Sequence, residues 1–212
     1  MNTRRKNANR KQNLFWMTGT ALMMAVTLLL GSTPLGLITT PFLTATTLHI
    51  PVIIATLALG LRAGLLTGLV FGVQSFFNSF TSPSFLGPFF LNPLVSVLPR
   101  ILFPVCVHGV AQIVRRVMGE RDRAGVVTYT AASALGTAMH TAMVMGMMYL
   151  LNAQKIAAAL VNATNAPQAI MEKGVGLGLA ALAVSNGLPE MLVAAAIAPA
   201  VTVALVRVRR KS

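Results

Sequence analysis

Long runs of Leu, Val, Ala, Met, Gly and Phe alternate along this chain with short polar or basic breaks. A helix needs about 20 apolar residues to cross roughly 30 Å of hydrocarbon, so the runs predict membrane-crossing helices. The first covers residues 14–31. Residues 32–47, rich in Thr and broken by Pro34 and Pro41, are too polar for a span. A second run, about 48–61, is short unless residues from Phe42 onward join it. Arg62 marks a tight turn, and a third run covers about 63–80. Residues 79–92 combine Pro83, Gly87 and Pro88 with Phe80, Phe85, Phe89 and Phe90 and read as an aromatic-rich loop. A fourth span at 93–114 ends on Arg115 and Arg116, and a fifth covers 124–151.

The stretch from Gly174 to Val206 is too long for one crossing and too short for two. Charge decides between the options. Basic residues gather in three clusters: Arg4 to Lys11, Arg115 to Arg123, and Arg207 to Lys211. Six spans put all three clusters and Arg62 on one side, with Lys155 and Lys173 on the other, as the positive-inside rule requires. A seventh would send the C-terminal cluster outside. The last span is therefore about 189–206, with 174–184 lying along the outer surface or re-entering. The predicted architecture is an all-α membrane protein with six transmembrane helices and cytoplasmic termini. Residues 1–13 and 207–212 are basic tails, and 14–206 form the transmembrane domain.

Composition excludes the soluble classes, because 55% hydrophobic and 10% charged residues in 212 exceed what one globular core hides. The net charge of +13 sits at the ends of apolar segments, where anionic headgroups attract it, so it argues for a lipid bilayer as partner and not for nucleic acid. Cys106 has no partner for an intrachain disulfide. The basic start and apolar 14–31 resemble a signal peptide, but the run is long and lacks a cleavage signal, so it reads as a retained span.

Small residues recur every fourth position at Gly60, Gly64, Gly68 and Gly72, and again at Ala21 and Ala25. Such spacing lets helices approach closely in lipid, and internal packing is the simplest reading of both. Ionisable groups inside a span are costly and attract functional attention. Counting 1.5 Å per residue from the cytoplasmic ends, Arg100 lies about 22 Å deep, Asn78 and His140 about 24 Å, and Glu190 about 26 Å. Four polar groups on four helices thus share one layer near the outer surface.

Each has a structural alternative. Arg100 can snorkel to outer headgroups, and Glu190, following Pro189 at an expected helix start, can cap that helix or pair with Arg100. Asn92 before Pro93 reads as a cap, while His140, Asn78 and Gln74 can bridge helices. His108 falls outside the layer and reads as structural. Turned inward, Arg100 suits a carboxylate, Asn78, His140 and Asn186 offer hydrogen bonds, and Phe76, Phe77, Phe85 and Phe89 offer apolar walls. The chain has no phosphate-binding loop, no metal-ligand spacing among His49, His108 and His140, and no dinucleotide fingerprint at Gly174 to Gly178. No enzymatic activity, cofactor or metal is expected. A small-solute binding protein remains, with a membrane scaffold of a cell-envelope complex or a stand-alone secondary transporter as alternatives.

Three segments carry a resemblance: Ala21 to Ala25; His49-Ile-Pro-Val-Ile-Ile continuing through Leu61 to Gly72; and Pro93-Leu-Val-Ser-Val-Leu-Pro-Arg100. With the span count and basic side, they resemble the substrate-binding S component of energy-coupling factor (ECF) vitamin transporters. Phe71 to Phe80 and Gly136 to Gly146 are most similar to the pantothenate-type branch, although His140 stands where that branch implies an Asn. The resemblance implies a bacterial plasma-membrane protein that binds a water-soluble vitamin from outside, the loop after the first span closing over it. It also implies docking on a membrane scaffold subunit with two cytoplasmic ATPases. Ala21 and Ala25 would form the docking face, and Arg100, Asn78, His140, Asn186, Glu190, Phe77 and Phe89 the site.

Overall fold

The computed structural model describes residues 2–34, 36–39, 44–81, 84–122, 125–164 and 168–211. Helix α1 (Asn2–Gly31) leads into a β-ribbon in which β1 (Leu37–Thr39) pairs antiparallel with β2 (Thr44–Thr46), Ile38 opposite Ala45. Helix α2 (His49–Ile54) continues as a π-helical turn, Ala55–Leu59. Gly60 at φ 107° then reverses the chain into α3 (Leu61–Asn78). A 3-10 turn at Gly87–Leu91 and the short α4 (Pro93–Ser96) precede α5 (Leu98–Met118). Two long helices, α6 (Val126–Thr164) and α7 (Gln168–Lys211), complete the chain.

Among the described residues, four helical segments are long and apolar enough to cross a membrane: Arg10–Gly31, Pro93–Met118, Val126–Asn162 and Gly174–Arg209; His49–Leu59 is a shorter apolar helix. Apolar runs therefore become helices at the expected places, but two boundaries differ. Residues 44–46 form a strand and do not extend the second run. Gly174 to Val184, expected on the outer surface or re-entrant, lies inside the continuous α7. The reason is local pairing: α7 runs beside an equally overlong α6 and makes the most extensive interface of the fold with it. Val144, Met148, Ile156, Val175 and Leu179 are buried together there. That burial outweighs the missing donors of Pro189 and Pro199, which sit within α7 without ending it. The predicted breaks at Pro41 and Pro83 fall outside the described residues.

A first core joins α1, α2, α3 and α5 around Ile53, Phe71, Phe103 and Val107. The glycine ladder makes the α3–α5 contact possible. A Cβ on Gly68 would lie 2.5 Å from the Arg100 carbonyl oxygen and one on Gly72 3.0 Å from the Val97 Cα, while one on Gly64 would meet the Thr56 side chain first and the Pro104 Cβ at 3.1 Å. Three successive turns of α3 thus need a bare backbone where the start of α5 crosses. Buried Thr20, Thr27, Thr56 and Thr67 do not break the helices, because neighbouring carbonyls can accept their hydroxyls; Thr56 Oγ1 donates to Val52 O at 2.6 Å. Beyond the membrane-facing stretches, Asp122 accepts hydrogen bonds from Val127 N and Thr128 N at the start of α6. Partial burial would raise its carboxyl pKa, but these bonds win and hold it below the usual carboxylate range.

Candidate functional site

Arg100 occupies a joint between two helices. Pro99 has no N–H, so the Val95 carbonyl lacks the donor that a continuous helix would supply, and the chain breaks at Val97 between α4 and α5. The Arg100 guanidinium fills that role, Nη1 donating to Val95 O at 2.7 Å. Pro104, one turn later, likewise leaves the Arg100 carbonyl without a helical donor, and this is the oxygen that faces Gly68. Two prolines and one glycine fix this cation. Asn92 caps α4, its Oδ1 accepting from Leu94 N at 3.1 Å.

The guanidinium lies inward, 4% exposed, between the rings of Phe71 (5.4 Å to the centroid) and Phe90 (5.2 Å). Arg100 therefore does not snorkel. His140 of α6 sits beside it, its ring 5.0 Å from Phe103 and 5.8 Å from Phe71. His49, at the start of α2, is buried at 1% exposure. Arg100 Nε, His140 Nε2 and both His49 ring nitrogens are buried without a well-formed hydrogen bond among the described residues. Buried polar atoms in folded proteins nearly always have partners, so four orphans around one cation are unusual.

Glu190 of α7 closes the group. Its Oε1 accepts from Thr46 N at 2.6 Å, which pins β2 to α7. Glu190 and Arg100 form no direct ion pair. The expected helix-start cap is not found, because Glu190 lies mid-helix.

Of the residues predicted for the site, Arg100, His140 and Glu190 come together, while others lie elsewhere. Asn78 donates to Gly31 O at 2.9 Å and accepts from Gln74 Nε2 at 3.0 Å, bracing α3 against α1. Asn186 bonds to Leu182 O and Ser185 Oγ on its own helix. Phe77 turns outward, 61% exposed. Phe89 packs in the outer aromatic cluster, 6.3 Å from Phe85, and its neighbour Phe90 meets Arg100. His108 bonds to Gln112 at 2.8 Å, away from the cluster. Sequence reading missed His49, although the same depth count from Arg62 puts it about 20 Å deep, in the shared layer. Phe71, Phe90 and Phe103 gave no polar signal and were legible only once the helices were packed.

Ala21 and Ala25 are exposed on α1, whereas Thr20, Met23 and Thr27 form its buried face. Both side chains lie on the exposed side of α1, away from that face.

These features define a multi-pass membrane protein with a buried cationic site between helices. The family model for the substrate-specific component of ECF transporters matches residues 16–202. The chain belongs to that family, whose members are substrate-binding and non-catalytic, and membership implies a small-molecule substrate with ECF scaffold and ATPase partners in a bilayer. No curated protein sequence matches it.

Proposed function

We propose that this chain is an ECF S component that captures a small, partly polar anion at Arg100, with pantothenate the first candidate among the water-soluble vitamins. The reading is carried by one observation: a buried guanidinium flanked by two rings, surrounded by polar nitrogens that lack partners. A carboxylate could accept the free Arg100 N–H, and the ligand's amide or hydroxyl groups could serve His140 and His49. Glu190 is bonded to Thr46 N and forms no ion pair with Arg100, and a buried cation without a paired counter-charge is expensive, which favours a ligand that brings one. Asn186, one turn from Glu190, and Asn78 and Phe89 at the outer rim would join the site only by turning from their present partners.

In this reading α2 with its π turn and α3 complete six spans, and the basic ends of α1, α5 and α7 face the cytoplasm of a bacterial cell. The β-ribbon after α1, tied to α7 through Glu190, is the closure over the site. Transport follows docking on the scaffold through the open Ala21 and Ala25 face.

Calorimetric titration of the purified protein with water-soluble vitamins tests the proposal. One carboxylate-bearing vitamin should bind at nanomolar to micromolar concentration, and Arg100→Ala should weaken it by about 2 kcal/mol or more through loss of a charge-assisted bond. Unchanged affinity in that variant would remove Arg100 as the anchor.

A further inference from the structure

At the opposite end of the bundle from Arg100, a cleft of about 860 Å³ opens between the end of α5, the start of α6 and the end of α7. Its walls divide by chemistry. Arg115, Arg207 and Arg209 supply cations, whereas Leu57, Val203 and Val206 supply apolar surface. Two of the cations are held in place. The Arg115 guanidinium stacks 5.5 Å from the Tyr129 centroid, and Arg209 Nη1 donates to Ala58 O at 3.1 Å, near the end of the π turn. That carbonyl belongs to a helix terminus, which leaves its last oxygens without helical donors. Arg207 is exposed and has no partner among the described residues.

Asp122, the one acid among the described residues lining the cleft, is already engaged. It accepts from Val127 N at 3.2 Å and Thr128 N at 2.7 Å, so the start of α6 balances its charge. The cleft is left with a cationic excess facing whatever enters. A soluble phosphate would use only the cations. A phospholipid would use both walls, because the cleft lies where the apolar lengths of α5 and α7 give way to basic residues, the level of the headgroups.

We infer that this cleft holds the headgroup and upper acyl chain of an anionic phospholipid, with Arg115, Arg207 and Arg209 around the phosphate and Leu57, Val203 and Val206 against the chain. Bound there, the lipid bridges three helices and the π turn at one end of the bundle.

Native mass spectrometry of the purified full-length protein tests this, using phosphatidylglycerol, phosphatidylcholine of the same acyl chains, and glycerol 3-phosphate as competitor. Phosphatidylglycerol should be retained in preference to phosphatidylcholine, and glycerol 3-phosphate should fail to displace it. Arg207→Gln should weaken retention about fivefold, and Arg207→Gln with Arg115→Gln about 25-fold, from the usual worth of a basic residue at an anionic surface. Asp122→Asn, which keeps an acceptor for the α6 N–H groups, should retain the lipid at least as well as the native chain. Equal retention of the two lipids would overturn the assignment, as would no loss in Arg207→Gln. Displacement by glycerol 3-phosphate would show instead a site for a soluble phosphorylated anion. Should the double variant fail to fold, Arg207→Gln, expected to weaken retention, and Asp122→Asn, expected not to, decide the question alone.

Discussion

Arg100 turns inward, the second of the two courses the sequence offers it, and takes on a structural task there. It is structural, because its Nη1 satisfies the carbonyl that Pro99 orphans, and it is available, because its Nε has no partner. The flanking Phe71 and Phe90 faces help a buried cation at roughly 0.5–2 kcal/mol each. Glu190 itself bonds elsewhere, to the ribbon. Its hydrogen bond to Thr46 N joins a charged acceptor to a backbone donor, a type worth about 1.5–3 kcal/mol. Glu190→Ala should therefore speed hydrogen exchange at the Thr46 amide by roughly tenfold or more, read by exchange with mass spectrometry. Unaltered exchange would mean that the ribbon is held by other contacts.

At the level of elements, the glycine ladder shows what spacing can and cannot reveal. Four glycines at every fourth position announce close packing, yet they do not share one role. Gly64, Gly68 and Gly72 receive the start of α5, whereas Gly60 makes the turn at positive φ. Gly68→Ala would drive a methyl group toward the Arg100 carbonyl, backbone that cannot swing aside. It should cost about 1–3 kcal/mol and lower the melting temperature, and it should weaken ligand binding by shifting Arg100. The apolar runs and the Asn92 cap were likewise legible, since each depends on local composition. What stayed hidden depends on partners far along the chain. Asn78 matched the site in depth but faces α1, because depth along a helix says nothing about azimuth. The continuity of α7 through Pro189 was hidden too, because it comes from burial against α6, which no window of sequence around Gly174 contains.

Across the whole molecule, length sets the problem. Helices α6 and α7 have 39 and 44 residues, about 58 and 66 Å if straight, roughly twice the hydrocarbon thickness. They must lean or overhang, and the outer aromatic cluster of Phe85, Phe89 and Phe90 packs against them. At α1, Ala21 and Ala25 leave a shallow strip between the exposed Met17, Leu22 and Leu29. Under the docking proposal, Ala21→Trp or Ala25→Trp should leave vitamin binding intact while abolishing uptake in cells that carry the scaffold and ATPases. Transport assays beside titration would separate these effects, and normal uptake in both variants would withdraw the docking face.

The bond from Arg100 to Val95 gives the α4–α5 break a further meaning. Under the binding proposal, the guanidinium that would greet an incoming anion also stitches the seam in the chain, so a guest that drew it away would leave the Val95 carbonyl bare unless the α4–α5 angle adjusted. Occupancy and the bend between these two helices would thereby be coupled through one side chain, a link that a lysine, with its single-point charge and no fork to divide between two acceptors, could not reproduce.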